Sequence, residues 1–119
     1  MEKENFFILM EILFTKEIND KSEGNGKIIY DNGEYYEGQF KNNLRHGKGK
    51  EYYSNGNLKY EGDYINDAFE GNGNFVSENG EFYIGKWRNN SRHGEGKEYY
   101  ADGNIKIEGI WIDGKFVEN

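Results

Sequence analysis

The sequence predicts a mainly β protein, a meander of about nine antiparallel strands that begins near residue 26 and is built from successive hairpins. Three observations predict it: a passage recurs almost unchanged, the glycines fall on a fixed lattice, and an Asn-Gly or Asp-Gly pair marks a turn in every unit. A turn roughly every twelve residues, with short alternating segments between, is the pattern of a meander.

Internal repetition decides the architecture before any motif does. RHGKGKEYYSNGNLKYEG, from Arg45, returns 47 residues later as RHGEGKEYYADGNIKIEG, from Arg92, with 13 of 18 positions identical. The weaker copy FEGNGNFVSENGEFYIG lies between them, so the unit is 23 or 24 residues long. Gly-x-Gly pairs open at Gly24, Gly47, Gly71 and Gly94, turn glycines follow at Gly33, Gly56, Gly80 and Gly103, and a third set stands at Gly38, Gly62, Gly85 and Gly109. Sixteen of the 17 glycines sit on this grid, and Gly114 falls in the next loop.

Each turn glycine follows Asn32, Asn55, Asn79 or Asp102, pairs that tolerate positive φ at both central positions of a type I′ hairpin turn. A second loop is expected half a unit later, around Asn42-Asn43, Asn66-Asp67, Asn89-Asn90 and Asp113-Gly114. Each Gly-x-Gly pair is expected to start a strand.

Alternation assigns the two faces, because successive side chains of a strand point to opposite sides. One face collects Tyr36, Tyr60, Tyr83 and Ile107, with Phe40, Tyr64, Trp87 and Trp111 four residues on, and Tyr30, Tyr53 and Tyr100 joining from neighbouring strands. A glycine between the members of each pair leaves room for a neighbouring repeat's ring against the backbone. Stacked repeats bury such rings in a ladder that a single hairpin cannot form. The second face is polar, with Glu37, Gln39, Glu61, Asp63, Lys86 and Glu108, and carries the stripe Ile29, Tyr52, Val76 and Tyr99, with Ile65, Ile84, Ile110 and Ile112 nearby.

Ahead of the repeats, residues 1–23 form a separate N-terminal apolar segment and residues 24–119 the repeat sheet. Phe6, Leu9, Met10, Leu13 and Phe14 recur at helical spacing, so residues 4–14 are expected as a short capping helix. The β-rich content of Ile12–Ile18 points to an added degenerate strand, and the preferred expectation is a helix leading into that strand. Glu11 interrupts the apolar run and no small-residue cleavage site follows, which argues against a signal peptide and for a soluble, cytoplasmic protein. The run is also too short to span a bilayer.

Composition bounds the function. The chain of 119 residues has 17% aromatic residues, 17 glycines, no proline and no cysteine, with a formal net charge of −7. That aromatic content argues against disorder. Lack of cysteine removes disulfides and thiolate metal sites, and the acidic balance disfavours direct nucleic-acid binding and docking on anionic membranes.

The steps YEGQF, YEGDY and YIGKW, followed by RHGKG, FEGNG and RHGEG, resemble MORN repeats over residues 24–119, about four units with the last cut short. The resemblance implies an elongated, twisted, single-layer sheet of hairpins. The wording K-E-Y-Y-x-[ND]-G-x-[LI]-K-x-E-G is similar to the bacterial branch of the family, whose members include antitoxin-like proteins. Ile107, Ser77 and Phe69 depart from the pattern, which implies that the second repeat packs differently.

No catalytic constellation, cofactor site or metal site is expected. His46 and His93 lie two repeats apart, roughly 20 Å at a strand spacing of about 4.8 Å, and read as lattice residues beside the glycine pairs. The Gly-x-Gly pairs lack the strand-to-helix setting of a phosphate loop. The expected function is a non-enzymatic protein-binding module whose partner is another protein, contacted by Ile29, Tyr52, Val76 and Tyr99 and the neighbouring acids Glu37, Glu61, Asp63 and Glu108. The alternative is a small acidic inhibitor (an antitoxin, an immunity protein or a phage-encoded blocker) that occupies the basic site of a nucleic-acid-binding enzyme. Oligomeric state is not determined by the sequence.

Overall fold

The computed structural model describes residues 12–18 and 21–118. They form one sheet of ten strands in sequential order. These are β1 (Ile12–Ile18), β2 (Lys21–Ile29), β3 (Tyr35–Lys41), β4 (Leu44–Tyr52), β5 (Leu58–Ile65), β6 (Ala68–Val76), β7 (Phe82–Arg88), β8 (Ser91–Tyr99), β9 (Ile105–Ile112) and β10 (Lys115–Glu118). Every neighbouring pair is antiparallel. The molecule measures 47 × 30 × 27 Å, elongated along the direction in which strands are added. The sheet thus starts earlier than the expected residue 26, and the expected boundary between residues 23 and 24 falls inside β2. Residues 4–11 of the expected helix lie outside the described residues, while 12–14, its other end, belong to β1.

The type I′ geometry expected at the Asn-Gly loops is found at the second loops instead. At the Asn-Gly loops only the glycine has positive φ, from 90° to 94° at Gly33, Gly56, Gly80 and Gly103. The Gly33 N–H donates to the Tyr30 carbonyl and the Tyr30 N–H to the Glu34 carbonyl. This is a three-residue hairpin loop, a type I turn followed by a left-handed glycine. Asn32 stays at negative φ because its Oδ1 accepts the Glu34 N–H at 2.9 Å, a local turn of its own. Type I′ geometry instead occupies the other loops, where Asn42 and Asn43 (φ 53° and 70°), Asn66 and Asp67 (47° and 73°), and Asn89 and Asn90 (51° and 71°) are all left-handed.

These second loops also join one repeat to the next. The Asp67 N–H donates to the Arg45 carbonyl, Asn90 to Phe69 and Gly114 to Arg92.

The core lies on one face and is a continuous chain of edge-to-face rings. Phe40, Tyr36, Tyr64, Tyr60, Trp87, Tyr83 and Trp111 touch in that order, with centroids 5.1–5.7 Å apart. All seven are buried, with Tyr36, Tyr60 and Tyr83 at 0% exposure. Ile107 packs against them. Tyr30 packs against them as expected, whereas Tyr53 is buried outside this cluster, donating its hydroxyl to the Val76 carbonyl at 2.6 Å. Tyr100 does not join either: it is 45% exposed.

Glycine makes this packing possible, though by a route the sequence reading misplaced. Gly26, Gly38, Gly49, Gly62, Gly73, Gly85, Gly96 and Gly109 oppose one another in an unbroken row from β2 to β9. Each ring over the row belongs to the glycine's own hairpin, not to a neighbouring repeat. A Cβ at Gly38 or Gly49 would overlap the Tyr36 phenol, and one at Gly62 or Gly73 the Tyr60 phenol. Pressed along the backbone, Tyr36, Tyr60 and Tyr83 donate to the carbonyls of Gln39, Asp63 and Lys86. The first glycine of each Gly-x-Gly pair, for example Gly47 at φ 98°, sits within a strand beside a register shift, as between Gly38 and Phe40. The pairs therefore bulge strands rather than start them.

Candidate functional site

The buried ring ladder occupies one face, and the residues expected as partner contacts lie on the other. Register places its side chains in rows on either side of the glycine row. One row reads Lys27, Glu37, Lys50, Glu61, Asn74, Ile84, Lys97 and Glu108, each opposite the next. Lys50 and Glu61 are 3.9 Å apart and Lys97 and Glu108 3.7 Å. Across the glycine row, Asp63 pairs with Lys48 and accepts the Asn72 N–H. Burial alone would raise the Asp63 pKa, but these bonds outweigh it and hold the carboxyl below its usual range. The acids expected to steer a basic partner thus stand among lysines, and their field outside the sheet is correspondingly weakened.

The apolar stripe runs along the margin nearest the Asn-Gly turns. It consists of two clusters: Ile29, Tyr35, Tyr52 and Leu58 are successive register partners, as are Val76, Phe82, Tyr99 and Ile105. Tyr35 stacks on Tyr52 with centroids 4.6 Å apart and planes at 16°, and Phe82 stacks on Tyr99 at 4.6 Å and 12°. The structure therefore brings the four expected stripe residues onto one face in two pairs. Sequence reading missed Tyr35, Phe82, Leu58 and Ile105. Tyr35 and Phe82 were legible, since each precedes a ladder tyrosine and alternation puts it on the opposite face. Leu58 and Ile105 were not, because a register shift lies beside each.

Shallow grooves follow the glycine row on this face. One of about 700 Å³ lies over β7–β9 between Ile84, Lys97, Tyr99, Glu108 and Ile110. Its counterpart over β2–β4, about 550 Å³, is bordered by Lys27, Glu37, Lys48, Lys50 and Tyr52. Both grooves carry charged residues, and the one over β7–β9 adds Ile84 and Ile110, with Ile84 46% exposed.

The histidines have structural duties. His46 Nδ1 accepts the Asn66 N–H at 3.2 Å, and His93 Nδ1 accepts the Asp113 N–H at 3.1 Å. In the other repeats a carboxylate does the same, Glu23 for Asn42 and Glu70 for Asn89. Among the described residues no group of three or more His, Cys, Asp or Glu side chains is placed to hold a metal ion, and no helix is long and apolar enough to cross a membrane.

The family profile described as MORN repeat matches residues 18–35, 36–58, 60–82 and 83–105, most of the chain. No curated protein matches it.

Proposed function

Because this chain belongs to the MORN-repeat family, a family of non-catalytic repeat modules, we propose that it is a protein-binding module whose face opposite the buried ring ladder takes the partner. Ile29, Tyr52, Val76 and Tyr99 are its apolar contacts, with Tyr35 and Phe82 stacked beside the tyrosines. Glu37, Glu61, Asp63 and Glu108 form the polar surround. The carrying observation is the division of aromatics. Seven rings are locked in the core, whereas the two stacked pairs lie half-buried on the far face, where polar neighbours surround aromatic anchors in the manner of an interface hot spot.

The acidic-inhibitor alternative, with its antitoxin-like branch, rests on net charge. The cross-strand lysines beside Glu61, Asp63 and Glu108 favour contact through the apolar stripe over long-range steering.

To test this, Tyr52 and Tyr99 are changed to Ser together, and proteins retained from the host by wild type and variant are compared by quantitative mass spectrometry. Expected is a more than tenfold loss of a specific retained protein, with the melting transition still cooperative. Undiminished retention on a folded variant would overturn the assignment of this face.

A further inference from the structure

The face opposite the ring ladder complements itself when it is turned end for end. The row that begins at Lys27 on β2 and ends at Glu108 on β9 alternates lysine and glutamate at both ends. Reversed against a copy of itself, it sets Lys27 against Glu108 and Glu37 against Lys97. The inner positions set Lys50 against Ile84 and Glu61 against Asn74, so no like charges meet in this row. The apolar stripe answers to the same reversal, because its two clusters exchange places. Tyr35 falls on Tyr99 and Tyr52 on Phe82, aromatic on aromatic, while Ile29 falls on Ile105 and Leu58 on Val76. None of these eight side chains is buried within the single chain. Beyond the glycine row Lys48 falls on Lys86, a like-charged meeting. Asp63 already pairs with Lys48, and Glu95 borders the same groove as Lys86.

A two-fold axis parallel to the strands, passing between β5 and β6, performs this reversal. It lays one sheet on another face to face, the aligned packing of a β-sandwich. The groove over β7–β9 then meets the groove over β2–β4. A surface complementary to itself about a two-fold is what an isologous dimer requires. Its extent is sufficient too, since the strands from β2 to β9 each have at least seven residues. At the usual strand rise and spacing they cover roughly 34 Å by 23 Å, about 800 Å² for each copy, the standard size of a specific interface.

We propose that the partner on this face is a second copy of this chain, bound face to face about that axis. This rests on the reading of the face as a contact surface and names what it contacts. The two apolar clusters supply the buried area. The lysine–glutamate row decides which end meets which, since charge complementarity fixes register more than it adds affinity.

Two charge changes in the full chain, Glu108→Lys and Lys27→Glu, provide the test. Each variant alone brings like charges together twice in its own dimer, whereas a mixture of the two restores both pairs in the mixed dimer. Sedimentation equilibrium over a dilution series should show the wild type passing from a 13.9 kDa monomer to twice that mass. Each variant alone, with its melting transition intact, should dimerise more than about tenfold more weakly. Native mass spectrometry of the mixture should show the mixed dimer dominating over both self-paired ones. A wild type monomeric at every concentration, single variants that dimerise as wild type does, or a mixture without preference for the mixed dimer would overturn the proposal. The Tyr52→Ser, Tyr99→Ser comparison separates this failure from failure of the face. A monomer that still retains a host protein through those tyrosines would overturn the second copy and leave the face standing. Undiminished retention together with unchanged dimerisation in the folded double-serine variant would remove the face itself.

Discussion

Arg45, Phe69 and Arg92 occupy the same place in successive repeats and solve one problem in two ways: how to cover the exposed side of a ring ladder. Arg92 lies over Tyr83 and Trp111, with its guanidinium carbon 4.4 Å and 5.8 Å from the ring centres. It is held there by Glu98 at 3.1 Å. Arg45 does the same over Tyr36 and Tyr64, paired with Glu51 and Asp67. In the middle repeat Phe69 stacks on Tyr60 at 3.8 Å, and Phe75 takes the place of the glutamate. The sequence showed the replacement at Phe69 but not that Phe75 compensates it, because residues six apart reveal their contact only once the bulge is known. Breaking a pair strands a half-buried charge, whereas replacing both partners with packed apolar groups is often neutral. Glu98→Ala is therefore expected to cost roughly 1–2 kcal/mol, and Arg92→Phe with Glu98→Phe to stay within about 1 kcal/mol of wild type, both read by urea titration. Equal losses would mean that the arginine cap is not interchangeable with the phenylalanine one. By the same repeat logic, His46→Glu should be neutral, since Glu23 and Glu70 already serve that turn. His46→Ala should lose about 0.5–1 kcal/mol.

At the level of the element, glycines that look alike in the sequence answer to different forces. Gly56 and Gly114 have positive φ of 92° and 90°, and a side chain at either would meet little: nothing within 4 Å at Gly56, and only Ser91 at 3.9 Å at Gly114. Gly49 is constrained by space, because a Cβ there would enter the Tyr36 ring. Gly114, although outside the strict lattice, is thus as conformationally constrained as Gly56. Valine at either should cost about 1–2 kcal/mol of backbone strain. Gly49→Ala should cost more, about 3 kcal/mol, because a fully buried ring must move. Denaturant midpoints ranking Gly49→Ala with the turn variants would contradict the packing role. Period and turn spacing were legible from the sequence, since both depend on local chemistry. Turn type was not, because Asn-Gly suits either loop and the choice follows from the side-chain bond at Asn32, Asn55, Asn79 and Asp102.

For the whole molecule, the core is phenolic, and this makes stability sensitive to alkali. Burial raises the pKa values of Tyr36, Tyr60, Tyr64 and Tyr83. A hydroxyl that ionises more readily in the unfolded chain contributes stability that is complete below the ordinary tyrosine value of about 10 and is lost as pH rises toward the folded value. The melting temperature should therefore hold to about pH 9 and fall steeply above about pH 10, with tyrosinate absorbance appearing together with unfolding. The buried ladder from Phe40 to Trp111 was legible from alternation, as was the face of the stripe residues, but the exposure of Tyr100 was not. The pairing of acids with lysines was hidden until the register was fixed. The two faces divide the labour: one carries the buried rings that hold the fold, and the other carries the half-buried stacked pairs proposed as partner contacts. Urea titration of Trp87→Ala beside Tyr99→Ser measures that division most directly. Trp87 is 7% exposed, and its indole N–H donates to the Gly73 carbonyl, so its loss should cost about 3–5 kcal/mol, against about 1 kcal/mol for the half-buried Tyr99. Losses of equal size would show that both faces carry the fold, and would contradict the account.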